Sequence, residues 1–155
     1  MNVNIVCIGK LKEKYWQDAQ REYTKRLRAF CRVEIIEKKE APLPKNASAA
    51  QVQKAIAHEC DSLQKSSSGC LIALSPDGKQ MSSEAFANLL VQQTQTGNVT
   101  FAIGGSLGLS PSFKSQADKV ISFSSMTMPH QLFRIVLLEQ IYRAFMISAG
   151  RTYHK

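Results

Sequence analysis

The sequence predicts a three-layer α/β domain built around a mostly parallel sheet. Five short apolar runs rich in β-branched residues alternate with segments whose apolar residues recur at helical spacing. Such alternation is typical of parallel strands joined by helical crossovers, with helices covering both faces of the sheet. With 155 residues and 44% hydrophobic content, the chain has the size of one ordinary domain. We therefore expect a single domain over residues 1–155.

The first half of the chain is predicted to supply three strands and two helices. A loop is expected around Pro42 and Pro44, because neither residue can donate a hydrogen bond to a backbone ladder. Ser48 is a suitable N-cap for the helix that follows, and PDGK at positions 76–79 predicts a turn. The predicted strands are residues 3–9, 33–37 and 69–75, and the predicted helices are residues 13–30 and 48–66.

The second half is predicted to contain two strands and three helices. Ser82 or Ser83 begins a helix that Gly97 ends, and Pro111 suits the first position of a short helix. The predicted strands are residues 99–103 and 119–123, and the last helix is residues 129–149. That helix is apolar around much of its girth, which indicates burial on two sides. In a small domain we expect a second subunit to cover one of them, as a homodimer.

The net charge of +8 is concentrated at the two ends of the chain. Residues 1–39 carry ten Lys and Arg against five acids, residues 40–119 carry six against six, and residues 120–155 carry four against one. Such a field favours a polyanionic partner, of which nucleic acid is the commonest. A merely solvated surface is the alternative.

Cysteine spacing and hydropathy exclude several classes of protein. The four cysteines form no C-x-x-C pair and have no histidine at metal-ligand spacing, so we expect reduced core thiols and no metal site. No segment approaches the roughly 20 apolar residues needed to cross a bilayer. The N-terminus lacks the pattern of a signal peptide. We expect a cytoplasmic protein that has no membrane contact.

Two unusual loops each follow a predicted strand in the second half. The turn at residues 104–108 holds three glycines, but it is neither G-x-G-x-x-G nor a P-loop, which disfavours a dinucleotide or triphosphate site. It is either an ordinary tight turn or a backbone that a ligand approaches closely. Ligands of open α/β sheets bind beyond the carboxyl ends of strands. We expect this turn, the loop at residues 124–128 and Leu74 to form one pocket for a heterocycle such as adenine, although core packing is the alternative for the methionines.

Candidate polar residues lie on the last helix and the tail. His130 falls in the first turn of that helix, and Glu139 and Arg143 are four residues apart. Tyr153 and His154, beside Arg151, offer a stacking ring and a proton acceptor, which suit a nucleobase site. Surface pairing and a disordered tail are the alternatives.

Several linked motifs resemble the small SPOUT-class rRNA methyltransferases, and within them the 23S rRNA (pseudouridine-N3)-methyltransferase family. The resemblance extends over essentially the whole chain, in order. It is carried by VCIGKLKEKYW, LIALSPDGK, IGGSLGLS, FSSMTMPH and RIVLLEQIYRAFMISAGRTYHK.

This resemblance implies a fold, a cofactor and a substrate. The C-terminal part of the sheet would form a deep trefoil knot (the SPOUT or α/β knot), and a homodimer would methylate N3 of a pseudouridine in 23S rRNA of the assembled ribosome. His130 or His154 would accept the N3 proton, Arg143 would stabilise charge on the base, and Tyr153 would stack on it. S-adenosylmethionine would contact Leu74, Gly104, Gly105, Phe123, Ser124, Ser125, Met126, Thr127 and Met128.

Two other functions stay open on the residues alone. Strand–helix alternation also permits a flavodoxin-like or Rossmann nucleotide-binding protein. The basic ends also permit an RNA-binding or ribosome-assembly factor without catalytic activity.

Overall fold

The computed structural model describes residues 2–153, apart from the side chains of residues 94–96. Within this range five strands alternate with five helices, which confirms the predicted α/β class. The strands are β1 (Asn2–Ile8), β2 (Arg32–Lys38), β3 (Cys70–Gln80), β4 (Val99–Ile103) and β5 (Lys119–Ser122). The helices are α1 (Lys14–Leu27), α2 (Ala49–Gln64), α3 (Ser83–Thr96), α4 (Pro111–Gln116) and α5 (His130–Ser148).

The five strands form one sheet in the order β2-β1-β4-β3-β5. All pairings are parallel; Val3 of β1, for example, pairs with Val33 on one side and Val99 on the other. All strands therefore end at the same edge of the sheet, and the segments that follow β4, β3 and β5 are neighbours there.

Helices cover both faces of the sheet, and this makes the three predicted layers. Residues of α1, α3 and α5, including Leu27, Phe86 and Leu137, share one core cluster with the strands. Cys60 of α2 and Phe113 of α4 belong to a second cluster on the other face. Because both faces are covered, all five residues of β4 are buried, as is typical of a central parallel strand.

Helix α5 contacts both α1 and α3 as well as the sheet. Other elements of the same chain therefore cover much of the apolar surface of α5 that predicted a second subunit. Leu132 and Val136 are half-buried and lie outside both core clusters, so part of this apolar surface remains accessible. The homodimer and the trefoil knot stay predictions.

The turn predicted at residues 76–79 is wrong, because β3 continues through it to Gln80. Both Leu74 and Lys79 pair with Ile121 of β5, so the residues between them form a bulge in the strand. A Cβ on Gly78 would lie 2.6 Å from the Ile121 carbonyl carbon, so only glycine lets the bulge lie this close to β5. Proline and glycine interrupt the pairing here, but the ladder resumes beyond them.

Serine caps place the predicted helix starts within a residue or two of the observed ones. Ser48 forms a capping box with Gln51, and the Ser82 and Ser110 side chains accept from the backbone N–H groups of Ala85 and Phe113.

None of the helices in residues 2–153 is both long and apolar enough to cross a bilayer.

Candidate active site

The carboxyl ends of β3, β4 and β5 enclose a cavity of about 450 Å³. This volume is within the usual range of small-molecule sites. The glycine turn after β4 and the loop after β5 both line it, as the sequence predicted. The lining residues are 74–76, 103–109, 122–124, 126–130 and 133.

The glycine turn presents bare backbone to this cavity. Gly105 O accepts from Gly108 N at 3.0 Å, which closes the turn. A Cβ on Gly104 would lie 2.9 Å from the Gly108 carbonyl carbon, and one on Gly105 would lie 2.9 Å from Ile8 Cγ2. Neither position has room for a side chain, so a bound molecule meets main-chain N–H and C=O groups.

The loop after β5 is held by its own serines and by an aromatic anchor. Ser122 Oγ donates to Ser124 O at 2.8 Å, and Met126 N donates to Ser124 Oγ at 2.9 Å. The Phe123 ring packs 5.3 Å from Phe86 and 5.4 Å from Phe133, which ties the loop to α3 and α5. Met126 is 76% exposed at the mouth of the cavity.

The β3 bulge forms a third wall and is anchored to α4. Asp77 accepts from Lys114 Nζ at 2.5 Å and also from Ser75 Oγ. The bond from Lys114, and then that from Ser75, holds the pKa of Asp77 below its ordinary value. The carboxylate therefore stays ionised and keeps Ser75 and Pro76 beside the cavity.

Among the described residues the cavity lining contains no Lys, Arg, Asp or Glu, and His130 is its one imidazole. An apolar wall with exposed main-chain groups suits a ligand with a heterocycle and little negative charge. A triphosphate would find no cation here to neutralise it.

Comparisons with known proteins agree with this geometry. A family model described as "Predicted SPOUT methyltransferase" matches residues 1–154. The chain belongs to the SPOUT methyltransferase family. This finding replaces the flavodoxin-like and Rossmann alternatives.

Curated relatives and a solved structure extend the match. Proteins named Ribosomal RNA large subunit methyltransferase H from Streptococcus equi subsp. zooepidemicus and from Leuconostoc mesenteroides are each 46% identical over 159 residues, covering 100% of both chains. A probable methylase family protein from Haemophilus influenzae Rd KW20 superimposes with a TM-score of 0.56 at 11% identity, covering 99% of this chain and 70% of its own. That structure shows a shared fold.

Most residues predicted to hold the cofactor of this SPOUT protein line the cavity. Those that do are Leu74, Gly104, Gly105, Phe123, Ser124, Met126, Thr127 and Met128. Ser125 is exposed and lies outside the lining. The sequence prediction included the turn at residues 104–108 in the pocket but missed the other lining residues, which are Ser75, Pro76, Ile103, Leu109, Ser122, Pro129 and Phe133.

The predicted catalytic residues are divided between two places. His130 lines the cavity, whereas Arg143 lies thirteen residues further along α5, about 20 Å away at 1.5 Å per residue. Tyr153 is with Arg143, whose guanidinium carbon is 4.9 Å from the centre of the tyrosine ring. His154 lies outside the described residues.

Arg143 and Tyr153 share the carboxylate of Glu139. Arg143 Nη2 donates to Glu139 Oε1 at 2.7 Å, and Tyr153 Oη donates to the same oxygen at 3.3 Å. The bond to Glu139 raises the pKa of Arg143, and burial followed by the Glu139 charge raises the pKa of Tyr153. The phenol therefore stays protonated, as a hydrogen-bond donor, at neutral pH.

Two buried charged residues next to the site carried no recognisable sequence signal. Arg134, one turn after His130, is 1% exposed and donates to Glu37 Oε1 at 2.5 Å and to Gly9 O at 3.0 Å. Glu59 is 3% exposed and accepts from Ala41 N at 2.8 Å. Its other oxygen has no partner in the described chain and lies 3.4 Å from the Cβ position of Gly105, directly behind the glycine turn.

Proposed function

We propose that this chain is an S-adenosylmethionine-dependent methyltransferase that modifies N3 of a pseudouridine in 23S rRNA of the assembled ribosome. It would act in the cytoplasm as a homodimer. Membership of the SPOUT family makes it a methyltransferase, and relatives named as large-subunit rRNA methyltransferases support ribosomal RNA as the substrate. The pseudouridine and its N3 atom come from the motifs shared with that family.

The observation that carries the proposal is the single cavity formed by three strand ends. Its volume of about 450 Å³ suits a nucleoside-sized ligand. The residues fit S-adenosylmethionine, since the glycine turn offers main-chain groups to an adenine edge and the apolar walls suit an uncharged ring. The described lining residues include no Lys or Arg, so no such cation repels the positively charged sulfonium.

When bound, S-adenosylmethionine supplies a methyl group on a positively charged sulfur. The residues of the chain orient the reacting atoms, exclude water and accept the N3 proton. The serine-held loop and the glycine turn fix the walls, and alignment of the reacting atoms is the largest contribution that such a site offers. The imidazole of His130 is the proton acceptor that we assign, because no other described residue of the lining carries an imidazole or a carboxylate.

Arg143 and Tyr153 would act in the cavity of a second subunit. Arg143 lies about 20 Å along α5 from His130, and the Tyr153 ring packs on Arg143, so both are too far to touch a base held in the cavity of their own chain. The half-buried Leu132 and Val136 provide an apolar surface on the same helix for a second copy. In a homodimer each Arg143 would stabilise charge on a base bound by the other subunit.

The exposed face of α1 would lie against the rRNA. Lys14, Arg21, Lys25 and Arg28 are exposed and recur at helical spacing. Only Asp18 interrupts them on this face, pairing with Lys14 and Arg21. A row of cations is the usual footprint of a phosphate backbone.

Methyl transfer from labelled S-adenosylmethionine to ribosomes that lack the modification tests the proposal. We expect label in 23S rRNA, at a position that blocks the Watson–Crick edge of one pseudouridine. Ribosome binding without transfer would favour the assembly-factor alternative and overturn the proposal. Titration calorimetry with S-adenosylmethionine, NAD and FMN separately tests the cavity.

A further inference from the structure

An exposed aromatic pair begins helix α1. The Tyr15 side chain is 63% exposed, and its ring centroid lies 5.0 Å from that of the half-buried Trp16, at an interplanar angle of 62°. Trp16 therefore supports one side of the Tyr15 ring, while much of the rest faces solvent. Single exposed aromatics are common on protein surfaces, so the surroundings decide whether this one has a role.

The loop between β1 and α1, which leads into the pair, is fixed beside the cavity. Gly9 O accepts from Arg134 Nη2 at 3.0 Å, Leu11 O accepts from Gln17 Nε2 at 2.9 Å, and Lys12 N donates to Gln131 Oε1 at 2.9 Å. Gln131 follows His130, which lines the cavity. The hydrogen bonds thus hold the start of α1 next to the side of the cavity that His130 lines.

The charges around the pair are mostly positive. Lys10, Lys12 and Lys14 are exposed, and Glu13 is the one acid among them. Lys14 is paired with Asp18 at 2.6 Å, and the basic face of α1 continues from there. An aromatic ring flanked by lysines matches an unpaired nucleotide, because the base stacks on the ring and its phosphates meet the ammonium groups. A protein partner fits less well, since lysine is depleted at the centre of protein interfaces.

We propose that Tyr15, supported by Trp16, is a stacking platform for an unpaired ribosomal RNA base that flanks the methylated nucleotide, with Lys10 and Lys12 contacting the adjacent phosphates. This inference rests on the proposed function and adds a substrate-binding subsite to it. The β1–α1 loop would then position the RNA strand, separately from the cofactor cavity.

Replacement of the ring tests the stacking. Tyr15→Ala should weaken binding to unmodified ribosomes by about 5- to 150-fold, the range measured for loss of one base–aromatic stack. Tyr15→Phe keeps the ring and should stay within about twofold of the wild type. The affinity for S-adenosylmethionine and the sedimentation of the subunits should be unchanged in both variants.

The salt dependence of ribosome binding tests the phosphate contacts. Lys10→Ala combined with Lys12→Ala should reduce the slope of log affinity against log salt by about 1.4, or about 0.7 for each lost contact to single-stranded RNA. Lys54→Ala is the matched control, because Lys54 is exposed on α2 at the opposite face of the sheet. It should leave the slope nearly unchanged, and so should Tyr15→Ala.

The outcomes separate this inference from the proposed function. Wild-type affinity of Tyr15→Ala for ribosomes, or dissociation of its subunits, would overturn the platform even where the wild type methylates rRNA. Conversely, ribosome binding that depends on Tyr15 without any methyl transfer would support stacking of Tyr15 on ribosomal RNA, but it would remove the proposed function and the placement of the stacked base beside a methylated nucleotide. A wild-type protein that does not bind ribosomes would overturn both.

Discussion

A single missing side chain, at Gly105, shapes the cavity at the carboxyl ends of the strands. The Cβ of any other residue would lie 2.9 Å from Ile8 Cγ2, so the turn would have to move away from β1 and towards the cavity. Overpacking of this kind typically costs about 1–3 kcal/mol. We expect Gly105→Val to weaken S-adenosylmethionine binding by about tenfold or more in calorimetry, with subunit association unchanged.

A compensating change at Ile8 supplies the control for this prediction. Ile8→Ala removes the methyl group that the new Cβ would strike. The double variant Gly105→Ala with Ile8→Ala should therefore bind the cofactor more tightly than Gly105→Ala alone. Equal affinity of Gly105→Val and the wild type would show that the turn has only a structural role.

Two buried thiols make the stability depend on pH at the alkaline end. Burial raises the pKa of Cys7 and of Cys31 from 9.0 to about 11. Between these values the unfolded chain loses the two protons and the folded chain keeps them, so the free energy of unfolding falls as pH rises. In urea titrations, the stability difference between the wild type and Cys31→Ala should shrink from pH 8 to pH 10.5. A constant difference would contradict the assignment to this thiol.

The sequence predicted residues whose position follows from topology and missed those that depend on burial. Residues 104–108 and 124–128 could be assigned to one pocket because loops that follow parallel strands lie at one edge of the sheet, and only β3 separates β4 from β5. Arg134 and Glu59 lie in helices whose other charged residues are half-buried or exposed. Nothing in their spacing distinguished a buried charge from an exposed one, since the partners, Glu37 and Ala41, are distant in sequence.

Among the secondary-structure elements, α5 is joined to three others through Arg134. Its guanidinium bonds to Glu37 of β2 and Gly9 after β1, and approaches Gln20 of α1 at 3.4 Å. Arg134→Met would leave the Glu37 carboxylate without this partner. Loss of one partner of a buried ion pair costs about 3–5 kcal/mol, and we expect about 2–3 kcal/mol here because Glu37 is 29% exposed.

Urea unfolding measures this difference, and an exposed pair provides the comparison. Arg26 and Glu22 form an ion pair on α1 whose side chains are 42% and 51% exposed. Arg26→Ala should leave the free energy of unfolding almost unchanged, because solvent screens an exposed pair. A similarly small loss in Arg134→Met would mean that the buried pair does not stabilise the junction.

Strand β3 shows why one element could not be predicted fully from sequence. Pro76 and Gly78 are residues that favour a turn. The structure has a bulge between Leu74 and Lys79 at this position instead. The strand resumes because β5 lies alongside, where Lys79 pairs with Ile121 and Gln80 pairs with Ser122. A local pattern cannot report that neighbour, whereas strands bounded on both sides by loops, such as β4, were predicted residue by residue.

At the scale of the whole molecule, the two basic ends of the chain meet. Arg26 of α1 lies 5.8 Å from the ring of Tyr142 on α5, and Arg151 of the tail lies 5.9 Å from the ring of Phe30. Charges that the sequence places more than a hundred residues apart therefore form one surface, because α1 packs on α5. Arg143 and Tyr153 lie at this end of α5, remote from the cavity.

The proposed division of the active site between the two ends of α5 leads to a prediction for mixed dimers. Gly105→Val would disable the cavity of a subunit, and Arg143→Ala would remove the cation that we assign to the cavity of the other subunit. Each variant alone should methylate ribosomes far more slowly than the wild type. Coexpression at equal amounts should restore about a quarter of wild-type activity, since half of random dimers are mixed and each has one complete site.

The alternative arrangement gives a different result in the same experiment. If Arg143 served its own cavity, every mixed dimer would contain one subunit without a cavity and one without the cation, and activity would not recover. Val136→Glu, on the half-buried outer side of α5, is the matched control. It should produce folded monomers that still bind S-adenosylmethionine. These monomers should transfer no methyl group, because Arg143 of one subunit can then no longer reach the cavity of a second subunit.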